Sequence, residues 1–220
     1  MTAAPIARRA GGSLRDALAA LKALRRADDV VLTTMTPARD WMALGTHPLD
    51  LVLVPSAMGH ATSMGLGLAL AQPDRRIIVC NGDGSLLMNL GSLVSITAAG
   101  PRNLVVLVFV NGTYEATGAQ PTPGSAEGRV AGDAVDFAAM ARACGFRAVF
   151  DFPGVEGWRA GAETVLATEG PTIAIIGVTS DPTAPGPKSP GPAAARASRF
   201  IEALRTQPGR SGEPVPASPP

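Results

Sequence analysis

The chain has little of several things. Its 220 residues contain two cysteines, Cys80 and Cys144. Their separation lacks metal-site spacing, and a chain of this size needs no disulfide, so both read as structural thiols. Charge of either sign is balanced: 19 Lys and Arg against 18 Asp and Glu leave a net charge of +1. That gives no electrostatic reason to expect nucleic acid or an anionic membrane as partner. Nowhere do eighteen uncharged apolar residues run together, and Arg8-Arg9 has no apolar stretch behind it. Neither a membrane span nor secretion is expected, which leaves a cytoplasmic location as the default. What the chain does have is 46% hydrophobic residues, enough to bury one sizeable core.

Those residues fall into strands that alternate with helical patterns, the signature of right-handed βαβ units and a parallel sheet. The pattern predicts helices at 13–26, 37–44, 59–71, 86–99, 133–144, 155–168 and 192–205. Strands are predicted at 30–34, 51–54, 77–80, 104–110, 147–150 and 172–178. The expected fold class is therefore α/β: a doubly wound, mainly parallel sheet of about six strands with helices on both faces. Ser13 with Asp16 resembles a capping pair, and Gly100-Pro101 and Gly170-Pro171 read as sharp stops. Residues 1–12 read as a flexible start and 13–180 as the folded domain. Residues 181–206 read as a Pro/Gly linker with a last helix, and 207–220 as a disordered tail. The glycine-dotted stretch 112–132 is long for a connection and is expected to be a mobile loop at the site.

The most informative feature is Asn81-Gly82-Asp83-Gly84-Ser85, at the turn between the strand ending at Cys80 and the helix that follows. Glycines at such a turn present bare backbone N–H groups to an anion, and Ser85 adds a hydroxyl donor. Asp83 has the wrong sign for a phosphate unless a hard cation lies between them. Mg²⁺ takes one or two protein oxygens while phosphates supply others. Asn111 then offers a second oxygen. It follows the apolar run Leu104 to Val110, at the carboxyl end of a strand, where open parallel sheets bind ligands. The five residues and Asn111 together read as a Mg²⁺ diphosphate clamp. Gly65-Leu66-Gly67 begins something like a dinucleotide fingerprint, but Leu70 breaks it, and Leu66, Leu68 and Leu70 read instead as a helix face packed on the sheet.

Asp83 and Asn111, twenty-eight positions apart, resemble the diphosphate-binding domain of thiamine diphosphate enzymes. Residues 33–40, 55–61, 111–122 and 136–141 extend the resemblance to the sulfopyruvate and phosphonopyruvate decarboxylase branch, over roughly residues 13–180. The resemblance implies thiamine diphosphate and Mg²⁺ as cofactors, with Asp83, Asn111 and the Thr113 carbonyl as metal ligands. It places Gly82, Gly84, Ser85 and Tyr114 along the cofactor. Ser56, Ala57 and Met58 fall where the family holds the pyrimidine, Met58 as the hydrophobic wedge under the bent cofactor. His60 falls in the substrate pocket, as a catalytic candidate or as a structural histidine. Arg39 and Arg129 are the only cations that suggest themselves for a dianionic substrate tail.

The resemblance also defines an absence. Family enzymes activate the cofactor with a glutamate from a pyrimidine-binding domain, and this chain has no glutamate before Glu115 and no room for such a domain ahead of residue 30. The expectation is one subunit of a hetero-oligomer, completed by a pyrimidine-domain (alpha-type) subunit. Together they would convert a small 2-oxo acid to an aldehyde and carbon dioxide. An acetolactate synthase-like carboligase component, a noncatalytic cofactor-binding scaffold and a nucleotide-binding module stand as alternatives.

Overall fold

A computed structural model describes residues 11–54, 57–130, 132–179, 181 and 189–207. Ser56, the first ten residues, most of the Pro/Gly linker and the tail from 208 onward lie outside the described residues. Six strands form one sheet: β1 (Val30–Thr34), β2 (Asp50–Leu53), β3 (Ile77–Gly82), β4 (Leu104–Val110), β7 (Ala148–Phe152) and β8 (Thr172–Gly177). Their order is β2-β1-β3-β4-β8-β7, with every pairing parallel. β5 (Thr113–Tyr114) and β6 (Gln120–Pro121) make a small antiparallel pair beside it. The chain steps outward from β1 to β2, then crosses back to β3 and on to β4. The sheet therefore has a switch point between β1 and β3, the place where a ligand crevice opens at the strands' carboxyl ends.

Strand side chains alternate between two faces, and two cores result. On one face Val31, Ile78, Cys80, Leu107 and Ile176 meet α1 (Leu14–Leu24), α2 (Met35–Ala43) and α7 (Val155–Ala167), with Leu18, Trp41 and Trp158 fully buried. On the other face Leu32, Val79, Val106 and Ile175 meet α3 (Ala61–Ala71), α5 (Gly91–Ala99), α6 (Phe137–Ala143) and α8 (Ala193–Thr206). Ser13 caps α1 as read from sequence, its hydroxyl accepting the Asp16 N–H at 3.0 Å. Gly100 ends α5 at a φ of 61°, the left-handed conformation that glycine adopts without strain.

Three expectations are corrected. The helix predicted at 86–99 is two helices, α4 (Asp83–Leu87) and α5, parted at Met88 to Leu90. Asn89 breaks it: its amide reaches across to the Gly59 carbonyl at 2.8 Å, and its own carbonyl takes the Ser92 hydroxyl at 2.7 Å. The helix predicted from 133 starts at Phe137, because Asp136 caps it through the Ala139 N–H at 2.8 Å. Leu66 and Leu68 pack on the sheet, but Leu70 is 58% exposed. The stretch 112–132 contains the β5–β6 pair and a 3-10 turn at Glu115–Thr117, and Thr122 returns its N–H to the Gly112 carbonyl at 2.8 Å. Cys80 is buried, which pushes its thiol up, and Cys144 is half-buried; both are free.

Candidate functional site

The carboxyl ends of β1, β3 and β4 open into a cleft with about 480 Å³ of free space, partly open to solvent. One wall is the start of α2, with Met35, Thr36 and Pro37; another is Met58; Gly82 to Ser85 form the floor; Asn111 and Thr113 to Thr117 close the far side. Of the clamp read from the sequence, Gly82, Asp83, Gly84, Ser85 and Asn111 line one space, together with Met58 and Tyr114, while Asn81 does not line it. Ala57 and His60 do not line it, and Ser56 lies outside the described residues.

Asp83 is the electrostatic centre. It heads α4, is 2% exposed, and its Oδ2 accepts the Gly112 N–H at 3.0 Å. Burial pushes its carboxyl up to about 6, although backbone N–H groups of Gly84, Gly112, Asp83 and Asn111 pull the other way. No cation forms an ion pair with it among the described residues. A buried carboxylate is costly unless paired or bound to metal, so this one has the character of a metal ligand. Asn111 faces the same space. Its Oδ1 takes the Thr113 N–H at 2.9 Å, which fixes the oxygen's orientation and leaves it a lone pair. No group of three or more His, Cys, Asp or Glu that could hold a metal occurs among the described residues. The donor set is one carboxylate, one amide oxygen and backbone carbonyls, which suits a hard cation that takes its remaining ligands from phosphate and water.

The glycines of the motif have separable roles. A Cβ on Gly82 would meet nothing within 4 Å, so the cleft has room directly above it. A Cβ on Gly84 would lie 2.5 Å from the Tyr114 ring and 3.3 Å from the Thr122 methyl, so Gly84 lets the 113–122 segment close over the floor. Ser85 Oγ accepts the Gly59 N–H at 3.1 Å and keeps its proton to donate elsewhere. Gly59 has a φ of 77°, and its carbonyl receives Asn89. The 58–60 turn is thereby fastened to the floor, holding Met58 over it.

His60 stands exposed at the head of α3, with Nδ1 2.8 Å from the Met58 carbonyl. A carbonyl only accepts, so Nδ1 carries a proton and Nε2 is left toward solvent. Arg39 pairs with Asp40 at 2.8 Å, Arg129 is exposed, and neither lines the cleft. His47, in the loop before β2, is half-buried, its Nδ1 accepting the Leu49 N–H at 3.2 Å. Sequence reasoning missed two features. Met35 sits at a φ of 54°, rare for a side-chain-bearing residue, at the end of β1 on the cleft wall. Thr122 is fully buried, its hydroxyl unpartnered among the described residues and its methyl against Gly84. The switch point between β1 and β3 would have pointed to Met35; no local signal marks Thr122.

Comparison with known proteins agrees with this geometry. Residues 33–176 match the family model "Thiamine pyrophosphate enzyme, C-terminal TPP binding domain". The chain is 40% identical over 158 residues to a phosphonopyruvate decarboxylase of Streptomyces viridochromogenes, covering 72% of this chain and 37% of that protein. It is 36% identical over 152 residues to a sulfopyruvate decarboxylase subunit beta of Methanothermobacter thermautotrophicus, covering 69% of this chain and 74% of the relative. A putative thiamin diphosphate-dependent enzyme from Mycobacterium smegmatis superposes with a TM-score of 0.64 at 20% identity, covering 78% of this chain and 32% of that one, which shows the shared fold. The chain spans about a third of the length of the phosphonopyruvate decarboxylases that it matches. Over the strands and turns that carry its cleft, the chain belongs to the C-terminal, thiamine pyrophosphate-binding domain family of thiamine pyrophosphate enzymes.

Proposed function

We propose that this chain is the diphosphate-binding subunit of a thiamine diphosphate-dependent 2-oxo acid decarboxylase that acts with a separate pyrimidine-domain subunit. The observation that carries the reading is Asp83, a buried carboxylate without a cation among the described residues, on a glycine floor open above Gly82. Asp83, Asn111 and the Thr113 carbonyl would hold Mg²⁺, Gly84 and Ser85 would hold the diphosphate, and Met58 would support the ring system. When bound, thiamine diphosphate supplies a nucleophilic carbon for the keto group and an electron sink for the bond to the departing carbon dioxide. The chain's own residues position that group, and the cleft walls of Met35, Pro37, Met58 and Phe109 exclude water around it.

Two observations support a partner. The acids lining the cleft are Asp83 and Glu115. Glu115 lies on the 3-10 turn that packs against α2, and its Oε1 already takes the Asp181 N–H at 2.8 Å. On this reading the activating carboxylate would come from the partner. The outer faces of α3 and α5 give such a partner a seat. From 51 to 73 the only titratable side chain is His60, and from 84 to 101 there is none. Exposed small residues recur every fourth position, as Ser63, Gly67 and Ala71 and as Gly91, Ser95 and Ala99, flanked by exposed Met64, Leu70, Met88 and Val94. Small residues at that spacing let helices approach closely, and an uncharged apolar face is what an obligate interface buries. By contrast α7 shows Glu156, Arg159 and Glu163 to solvent.

Calorimetry of the chain with thiamine diphosphate and Mg²⁺, alone and with the pyrimidine-domain protein, tests the reading, with Asp83→Ala as control. Product analysis then offers 3-sulfopyruvate and 3-phosphonopyruvate to the pair. Aldehyde and carbon dioxide in equal amounts support decarboxylation, and a condensed hydroxy-keto product would make the enzyme a carboligase. Metal-dependent binding without turnover of any 2-oxo acid would leave a scaffold. No binding by either preparation would end the thiamine assignment.

A further inference from the structure

Among the described residues β2 is an edge strand, with β1 on one side and no strand on the other. The outward carbonyls of such a strand have no ladder partner. Here a side chain takes their place. Arg196, in the first turn of α8, donates one Nη to the Val52 carbonyl and the other to the Val54 carbonyl, the second at 2.6 Å, while Nε donates to Gly191 at 3.1 Å. Val54 also bends back, its N–H 3.3 Å from the Val52 carbonyl, so the guanidinium grips the point where β2 ends. Three residues separate Val54 from the Met58 cleft wall. Beyond Met58 the turn is fastened through Gly59 to Ser85 and Asn89. Before Met58, Arg196 makes the side-chain contact that fixes the strand end.

We infer that Arg196 is a positioning residue for the Met58 turn: by bridging the Val52 and Val54 carbonyls, one within β2 and one just past its end, it sets the wall against which the cofactor's ring system packs. The guanidinium suits this task because its planar fork spans two carbonyls in one geometry, which an ammonium group cannot. The inference deepens the proposed cofactor site and rests on it for ligand identity, but not for the conformational effect.

α8 supplies its own control. Its far end is held by a second arginine, Arg75, just before the amino end of β3, which donates to the carbonyls of Leu204 and Gln207. Arg75→Ala loosens the same helix without touching the strand end. The test is hydrogen exchange on the full chain without cofactor. Arg196→Ala is expected to speed exchange of the amides at 57–60 at least tenfold, whereas Arg75→Ala speeds exchange in the last turn of α8 and leaves 57–60 protected. Arg196→Lys falls between, and it carries the test if the alanine variant does not fold. The second readout is calorimetric: the Kd for thiamine diphosphate with Mg²⁺ rises five- to twentyfold in Arg196→Ala and less than twofold in Arg75→Ala. Equal effects of both variants on 57–60 would show that helix docking alone matters and would overturn the inference, as would unchanged exchange at 57–60 in Arg196→Ala. If the wild-type chain binds no thiamine diphosphate, the cofactor assignment fails while the exchange comparison still decides the role of Arg196.

Discussion

At the amino end of the sheet, buried carboxylates meet guanidinium groups; at the carboxyl end, the buried carboxylate meets only backbone. Asp29 pairs with Arg76 and also takes the Arg26 N–H at 2.8 Å, and Asp50 lies 3.0 Å from Arg25 and accepts the Trp41 indole N–H at 2.9 Å. Nearby, Asn103 spends its amide on the carbonyls of Ala69, Gln72 and Arg75. At the other end Asp83 has no such cation, Thr34 and Asn81 are buried with side chains unpartnered among the described residues, and Met35 occupies a strained conformation. Burying polar groups this way is costly in a folded chain and is tolerated where a ligand completes them. One end of the sheet holds the fold together, and the other end keeps its binding capacity open.

The comparison breaks most visibly on its two carboxylates. Asp83→Ala is expected to weaken Mg²⁺-dependent binding of thiamine diphosphate at least a hundredfold by calorimetry while the chain stays folded. Asp29→Ala leaves Arg76 buried and unpaired, which costs about 3 kcal/mol in urea unfolding, yet the folded fraction binds the cofactor as wild type does. Loss of binding in both variants, or in neither, would remove the division of labour between the ends.

The same contrast has a pH signature when metal is chelated away. Asp83 has its folded pKa raised to about 6, above its unfolded value, by burial. Above pH 6 the ionised group therefore opposes folding. As pH falls from 6 toward 4 the folded chain takes up a proton that the unfolded chain does not, and stability rises; below about 4 both are protonated. Asp83→Asn should accordingly be more stable than wild type at pH 8, by roughly 1–3 kcal/mol, and the gap should close between pH 6 and 4. A gap that is constant with pH would show that Asp83 is not the source.

The uncharged helix face can be broken without touching the cleft. Val94→Arg places a charge on the exposed stripe of α5, where burial against a partner would desolvate it. Co-purification with the pyrimidine-domain subunit should fall more than thirtyfold, with the melting temperature of the chain alone within a degree of wild type. Glu163→Arg, on the charged face of α7, serves as the comparison and should leave assembly intact.

Much of this was legible in the sequence. The succession of strands along the chain, the placement of Asp83 and Asn111 at strand ends and the capping role of Ser13 follow from local patterns that one or two residues decide. What was not legible depends on contacts between distant segments. Asn89, Gly91 and Ser92 weaken the helix locally, but nothing in that stretch says that the Asn89 amide will reach Gly59. The grip of Arg196 on Val52 and Val54 spans more than 140 positions. The cations guessed for a substrate tail, Arg39 and Arg129, do not line the cleft, because an arginine's partners depend on tertiary packing that composition does not encode.

Two glycines, one at each end, give the finest form of the comparison. Gly170 lies by the amino end of β4, where an added Cβ would sit 2.6 Å from the Leu104 carbonyl oxygen, part of the sheet itself. Backbone cannot step aside cheaply, so Gly170→Ala should lower the melting temperature by several degrees and leave cofactor affinity unchanged. Gly84 faces a side chain instead: its Cβ would meet the Tyr114 ring at 2.5 Å and 2.7 Å, and the ring can swing away. Gly84 is also inside α4, where alanine is favoured over glycine by about 0.5–1 kcal/mol, which offsets part of the strain. Gly84→Ala should therefore melt within a few degrees of wild type but bind thiamine diphosphate about tenfold more weakly, because the displaced ring narrows the space above the floor. Restoring affinity by pairing Gly84→Ala with Tyr114→Ala would locate the loss in that ring, whereas a double variant no better than the single one would place it in the backbone N–H groups of the floor.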